Sequence, residues 1–340
     1  MKVQKVDSLD FSGLENQLSF SGLDTWTNFV RSVYDFKVHR YVVLENSIPL
    51  AALSLTEVKH PIFGPYLTTD PFGSYGGFAF KNDAARDLLL YEIQSLAEQT
   101  KTEYISIHHG DGESIPPDNW IQHPTYSTYL IDLPSTPDEL LKTFGADHRN
   151  HVRKSIKKGF KIRFGHIDLL DDIYEALAQC MHELGSPYHT KKYLQKMAES
   201  LGTTLEFAVL YDPQGSIAGG GVFIYQGDTI FNLHANILRR VRSAYAGEFL
   251  YWTMIERAIQ KGLKTFDLGR SLIGSGNETF KMKWNPRKKL LAYWYLLAPG
   301  QTLPALNQKN PKFQLAIAIW KRLPSFIVRP LGTYLVRGLA

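Results

Sequence analysis

Asp267, Arg270, Glu278, Lys281 and Lys283 all fall in one run, Thr265 to Trp284, TFDLGRSLIGSGNETFKMKW. Carboxylates set among cations are candidates for taking a proton from an attacking group, a role that needs side chains held close to the reacting atoms. Asp267 and Glu278 are the candidates here, and each could instead serve as a structural partner of Arg270, the reading favoured for Asp267. Thr265, Phe266 and Leu268 suit a half-buried strand, while Gly269, Gly274 and Gly276 allow backbone shapes or close approaches that side chains would block. The run reads as a strand, a glycine-broken loop carrying Arg270 and Ser271, then a lysine pair. Any one of these charges alone is well explained by an ordinary surface ion pair; their gathering at one strand end points to a site.

The elements that must hold this run fall into two halves with one grammar. In the first, Tyr41 to Leu55 reads as two strands around a Glu45-Asn46-Ser47 turn, Tyr66 to Phe80 as loop plus strand, and Ala84 to Gln99 as an amphipathic helix leading into strand Tyr104 to His108. In the second, Phe207 to Tyr211 and Ile217 to Tyr225 flank an Asp212-Pro213-Gln214-Gly215 turn, Thr229 to Ala235 is a strand, and Gly247 to Gln260 is a helix leading into Thr265 to Leu268. Leu133 to Pro137 reads as a linker. The expected organisation is a first domain over 1–134, a second over 135–300 and a tail over 301–340. One helix from about Asp138 to Lys158 would place Arg149, Arg153 and Lys157 along one face, where their repulsion calls for an anion, unless the helix is a solvated connector. A helix over Asp171 to Leu184 puts Ile173, Leu177, Cys180 and Leu184 on one stripe, so Cys180 reads as core rather than nucleophile.

At 340 residues, 44% hydrophobic and 21% charged, the composition is that of ordinary globular material with room for two domains. A single Cys excludes a disulfide framework and a multi-cysteine metal centre within the chain. The net charge of +5 hides a segregation. Seven Lys or Arg and no acid lie between Arg149 and Arg163, and eleven with no acid follow Glu278, which leaves −13 for the rest. Such basic segments attract anionic partners, or simply face solvent. His108-His109-Gly110-Asp111 lacks the spaced partners of a tetrahedral set, so no metal is expected, and the glycine runs 219–221 and 274–276 match neither a phosphate-binding nor a dinucleotide loop. Glycines in the first of these runs suit a bulge or the close approach of another backbone.

The succession Asp267-Leu-Gly-Arg-Ser, Gly274-x-Gly276, Phe280-Lys281 and Trp284-Asn285 resembles that of FemAB-like proteins found beside exosortase and PEP-CTERM sorting systems. The basic run Asp147 to Gly159, Gly185-Ser186-Pro187 followed by His189, and the tail elements Asn310-Pro311, Trp320 to Pro324 and Gly332 to Gly338 share the order of that family. The resemblance covers most of the chain, strongly after Leu130. It implies an α+β fold of tandem GNAT-like (acyl-CoA N-acyltransferase) domains, each a mixed sheet flanked by helices, with a C-terminal amphipathic helical tail. It further implies transfer of an acyl or aminoacyl group to an amine on a cell-envelope or exopolysaccharide precursor.

A GNAT-type donor site needs backbone amides at a helix start for phosphates. Arg239 to Gly247, RRVRSAYAG, occupies that place, which makes Arg239, Arg240, Arg242 and Gly247 donor-binding candidates together with Arg149, Arg153 and Lys157. The segment departs from the usual Arg/Gln-x-x-Gly-x-Gly/Ala pattern, so the donor stays open between acyl-CoA and the aminoacyl-tRNA of cell-wall Fem transferases, with no permanently bound cofactor. The distant resemblance to those transferases gives Lys281 the stabilisation of charge on the reacting carbonyl, and the family's motifs make Gly185, Pro187, His189 and Ser271 acceptor-binding candidates.

Phe313 to Ala340 combines Trp320, Phe326, Ile327 and Leu331 with Lys321, Arg322, Arg329 and Arg337 in two short basic amphipathic elements split at Pro324 and Pro330. Such segments either lie on anionic lipid or dock on their own domain. The N-terminal residues lack an apolar signal core and no run is long enough to span a bilayer, so the expected place is the cytoplasm, with peripheral contact at the inner face of the membrane as an addition. A catalytically silent protein holding an anionic glycan or lipid-linked intermediate in the same basic cleft is the alternative. A sequence-specific nucleic-acid reader is not expected, since the basic helix carries no reading motif.

Overall fold

A computed structural model describes residues 1–9, 11–304 and 311–340, with the backbone alone described for 311–313. Asn310, part of the expected tail pattern, lies outside the described residues. The chain forms two compact units: Met1–Tyr126, Leu290–Ala305 and Leu335–Ala340 make the first, and Ser127–Lys289 with Leu306–Tyr334 the second.

In the first unit the strands are β1 (Lys2–Val6), β2 (Lys37–Glu45), β3 (Ile48–His60), β4 (Gly64–Thr68), β5 (Phe78–Phe80), β6 (Tyr104–His109) and β7 (Ile121–Gln122), with helices α1 (Asp24–Tyr34) and α2 (Asp83–Thr100). The sheet order is β1-β2-β3-β4-β6, then the later strand Ala292–Leu297, then β7, with β5 paired to β3. The expected turn joins β2 to β3: Asn46 and Ser47 both take left-handed φ, +49° and +67°, as a two-residue hairpin requires. Asn82 caps α2 by accepting from the Ala85 amide at 2.9 Å. His108 and His109 are buried in an aromatic stack, one on Tyr293 and the other beside Trp294.

The second unit contains β8 (Tyr126–Asp132), α3 (Pro137–Thr143), α4 (Ala146–Ile156), β9 (Lys161–Gly165), α5 (Leu170–Leu184), α6 (Lys191–Leu201), β10 (Leu205–Tyr211), β11 (Ile217–Gln226) and β12 (Thr229–Ile237). These are followed by α7 (Ala246–Gln260), β13 (Thr265–Asp267), β14 (Ser271–Leu272), α8 (Gly276–Met282) and β15 (Arg287–Leu290), with α9 (Pro311–Trp320) and α10 (Ser325–Arg337) beyond. Its sheet runs β14-β8-β13-β12-β11-β10-β9, with β15 paired to β8. Antiparallel β10-β11-β12 leads through α7 to β13, which pairs parallel with β12; in the first unit β3-β4 leads through α2 to β6, parallel with β4. The repeated grammar of the two halves is this shared crossover, and both sheets are mixed with flanking helices.

The single helix expected over Asp138 to Lys158 is two. Phe144 leaves the helix with φ −76° and ψ 147°, and Gly145, a poor helix former, follows it before α4 begins. The Phe144 ring is the physical reason: it turns into the core, edge-on to Trp252 and Trp284. Arg149 and Arg153 stay on α4, while Lys157 is its C-terminal cap. Trp284 is fully buried among Tyr251, Phe280 and Phe144, so its loss would cost about 3–5 kcal/mol. Cys180 is core, its thiol pushed up to about 12 by burial.

Glycines 219–221 meet backbone where side chains would collide. A Cβ on Gly219 would lie 2.5 Å from the Asn236 carbonyl oxygen, and one on Gly220 2.9 Å from that of Ala208. In the tail, Pro324 separates α9 from α10, but Pro330 lies inside α10 rather than ending an element. Trp320 and Val328 are buried, Arg329 pairs with Glu175, and the Trp320 carbonyl meets His182 Nε2 at 3.2 Å. Leu315, Ile319, Phe326, Leu331 and Tyr334 are exposed. Among the described residues no helix is long and apolar enough to cross a membrane.

Candidate functional site

The end of β13 gathers Asp267, Arg270, Ser271, Glu278 and Lys281. Gly269 takes φ +77° against the Asn232 carbonyl, and the Asp267 carboxylate holds the turn by accepting from the Gly269 amide at 2.8 Å and from the Thr128 hydroxyl. Lys281, only 4% exposed, reaches back from α8 and donates to the carbonyls of Gly269 at 2.7 Å and Arg270 at 2.9 Å. Burial brings its pKa down to about 8; nearby Asp267 opposes that change and Arg270 adds to it. Lys281 is thereby the pin of the Gly269–Arg270 turn. Arg270 itself is exposed, and the Ser271 hydroxyl is buried with no hydrogen-bond partner among the described residues.

Glu278 organises the loop after that turn. Ser275 caps α8 by accepting from the Glu278 amide at 3.2 Å, and the Glu278 carboxylate accepts from Lys288 at 2.7 Å, from the Tyr129 hydroxyl at 2.8 Å and from the Gly274 amide. Ser275-x-x-Glu278 is a helix-start signature present in the sequence and passed over there. The Lys288 ammonium first, then the Gly274 amide and Tyr129, hold the carboxyl at about 2, so it binds a proton weakly near neutrality.

Beside this loop lies a cleft of about 620 Å³. Its walls are the end of α5, the end of β12 (Ala235, Asn236, Ile237), the start of α7 (Gly247, Glu248) and the start of α8 (Ser275, Gly276, Asn277). The polypeptide enters α7 through a six-residue 3-10 turn, Arg239–Ala244, and Tyr245 at φ +62°, which puts the helix start at the cleft. Of the basic candidates in this segment, Arg242 lines the cleft. Arg240 instead pairs with Asp212 and donates to the Ile217 carbonyl, and Arg239 is exposed with its amide on Glu183. Gly247 also lines it, and a Cβ there would make only ordinary contacts, 3.6 Å from Ile237 and 3.7 Å from Phe280.

The other anion candidates are not brought to the cleft: Arg149 is half-buried on α4, and Arg153 and Lys157 are exposed. Gly185 caps α5 at φ +81°, its neighbour Ser186 lines the cleft, and Pro187 and His189 do not. His189 is buried, stacked on Tyr193 at 3.6 Å, with burial and His234 holding its imidazole neutral. Two cleft residues escaped the sequence reading. Glu248 is the carboxylate among the lining residues, and Tyr251 accepts from Asn232 Nδ2 at 2.9 Å, which leaves its own O–H to donate elsewhere. Burial raises the Tyr251 phenol to about 12. Glu248 could have been noticed as the first acid after three arginines; the Asn232–Tyr251 contact joins a strand to a helix and has no local signature.

Residues 146–282 match the family described as the acetyltransferase (GNAT) domain. Among solved structures, the chain is similar to FemX at 14% identity, covering 92% of this chain and 100% of that one with a TM-score of 0.65. A tandem GNAT protein from the clavulanic acid biosynthesis pathway is similar at 10% identity over 88% of this chain and 100% of that one, TM-score 0.58. The C-terminal domain of a putative lysylphosphatidylglycerol synthetase from Agrobacterium fabrum is similar at 13% identity over 84% and 90%, TM-score 0.53. No curated protein matches the chain in sequence. The fold is therefore the FemAB-like tandem GNAT fold. Within it the second unit carries a GNAT acyltransferase domain.

Proposed function

We propose that the protein transfers an acyl or aminoacyl group to an amine on a cell-envelope or exopolysaccharide precursor, using the cleft at the start of α7. The observation that carries this reading is the convergence there of a helix N-terminus, Arg242, Glu248 and Tyr251 on one wall system. Backbone amides at the helix start and the Arg242 guanidinium bind donor phosphate, since both present positive charge to an anion. Glu248 accepts the proton of the attacking amine, and Tyr251, kept protonated by burial, gives its proton to the leaving group. Lys281 and Asp267 keep the Gly269–Arg270 turn in shape, with Arg270 and Ser271 on the acceptor side.

The segment before α7 lacks the glycines of the usual phosphate loop, which argues against a coenzyme A thioester, and the resemblance to cell-wall Fem transferases implies an aminoacyl-tRNA donor. The acid-free tail, with Phe326, Leu331, Tyr334 and Arg322 all exposed, suits contact with anionic lipid where the precursor is anchored. The experiment is a comparison of donors. Acyl-CoA that binds the folded state raises the melting temperature with concentration. Charged tRNA binds with steep salt dependence. Neither response, in a protein that melts cooperatively, would overturn the transferase reading.

A further inference from the structure

A group of potential ligands that shares only Glu248 with the proposed chemistry lies where α4 meets α7. His148 and His151 are three residues apart on α4 and so share a face, and Glu248 is in the first turn of α7. One ligating atom of each lies within 4.8 Å of the other two. We propose that His148, His151 and Glu248 bind a divalent first-row metal ion of the Zn²⁺ type. Two imidazoles and a carboxylate are a donor set that zinc accepts, with a fourth position left for water or substrate. Bonds of about 2.0–2.2 Å place tetrahedral donors roughly 3.3–3.5 Å apart, so side-chain rotation of an ångström or less at each ligand closes the set.

The second observation is the state of His148. It is 5% exposed, and neither ring nitrogen has a hydrogen-bond partner among the described residues, whereas buried polar atoms are nearly always paired. Phe144 and Trp284 wall the ring at centroid distances of 5.3 and 4.5 Å and offer it no acceptor oxygen. His151 is half-buried and stacked on Tyr245 at 4.5 Å, which fixes its ring. A cavity of about 500 Å³ bounded by His148, His151, Asp147, Lys283 and Asn285 gives the ion a way in and room for a water ligand.

Lys283 is the cation facing this group, and it works against the ion, while Asp147 on the same rim works for it. Coordination would clamp α4 to the start of α7 and engage Glu248, so the proton-accepting role proposed for that carboxylate belongs to the metal-free protein. The site is separable from the transferase reading because binding is measured without substrate. In the test, metal-free full-length protein is titrated with Co²⁺, followed by visible absorption of tetrahedral intensity, and with Zn²⁺ by calorimetry. One equivalent should bind. His151→Ala and Glu248→Gln should each weaken binding at least about ten-fold, and Lys283→Gln should tighten it. Zn²⁺ should raise the melting temperature of the wild type and not of the two ligand variants. Melting curves of the metal-free variants show that they fold, and Lys283→Gln, a change at the surface, tests the charge argument by itself. A wild type without the tetrahedral spectrum, or ligand variants that bind as the wild type does, overturns the proposal.

Discussion

Replacing Gly247 by Ala separates a structural glycine from one that keeps space for a ligand. The residue is the second of α7, its φ is not left-handed, and the added Cβ would meet Ile237 at 3.6 Å and Phe280 at 3.7 and 3.8 Å, all ordinary van der Waals distances. No strain term arises, and alanine gains up to about 1 kcal/mol over glycine in a helix, less in the first turn. Stability should therefore be unchanged or raised by a few tenths of a kcal/mol, which moves the melting temperature up by about 1–2 °C. The methyl group nonetheless projects into the cleft wall at the proposed phosphate site, where donor must approach the backbone closely. The donor KM should rise about ten-fold or more, corresponding to at least roughly 1.4 kcal/mol of lost binding, with little change in kcat. Steady-state kinetics against donor concentration, beside a melting curve, gives both numbers. A variant with wild-type donor KM would show that the donor does not pass Gly247, and a variant that melts well below the wild type would refute the packing argument.

Lys281→Met tests the buried ammonium through pH. Because the folded pKa of about 8 lies below the ordinary 10.5, the unfolded state holds more protons between these values, so wild-type stability should rise relative to the variant, by about 2–3 kcal/mol, as pH climbs from 8 toward 10.5; parallel denaturant curves that stay flat would remove that assignment. Tyr251→Phe should lower kcat about 100-fold with donor binding kept, as expected for loss of a general acid, and an unchanged kcat in single-turnover assays would dismiss it. Arg242→Ala should raise donor KM without lowering the melting temperature, whereas Arg240→Ala should chiefly cost stability, because it strips the partner from the buried Asp212 carboxylate. Phe326→Glu should abolish co-sedimentation with anionic vesicles while sparing the fold, since that side chain is 75% exposed; equal binding by both proteins would argue against lipid contact through α10.

Local physics was readable from the sequence wherever residues close in the chain decide the outcome. The glycine-broken run after Phe266 marked the end of β13, the Asn46-Ser47 pair marked a hairpin that needs left-handed φ, and the strand–helix–strand patterns of the two halves announced the repeated crossover. Cys180 was legible as core from its helical stripe. Which charged residues serve the cleft was not legible, because sequence neighbours on a turn point to different partners: Arg240 turns to Asp212 while Arg242 lines the cleft two residues on. Lys281 kept its place at the β13 end, but its immediate partners proved to be two carbonyls, a contact that depends on how α8 folds back over the turn. Phe144 broke an otherwise helical stretch because a core built from Trp252 and Trp284, more than 100 residues away, offered its ring a better burial than the helix offered its backbone. Propensity and spacing act over a few residues and set most of the elements, the break at Phe144 excepted. The cleft, the Asn232–Tyr251 contact and the meeting of His148, His151 and Glu248 arise where separate elements pack, and only tertiary structure brings those atoms within reach.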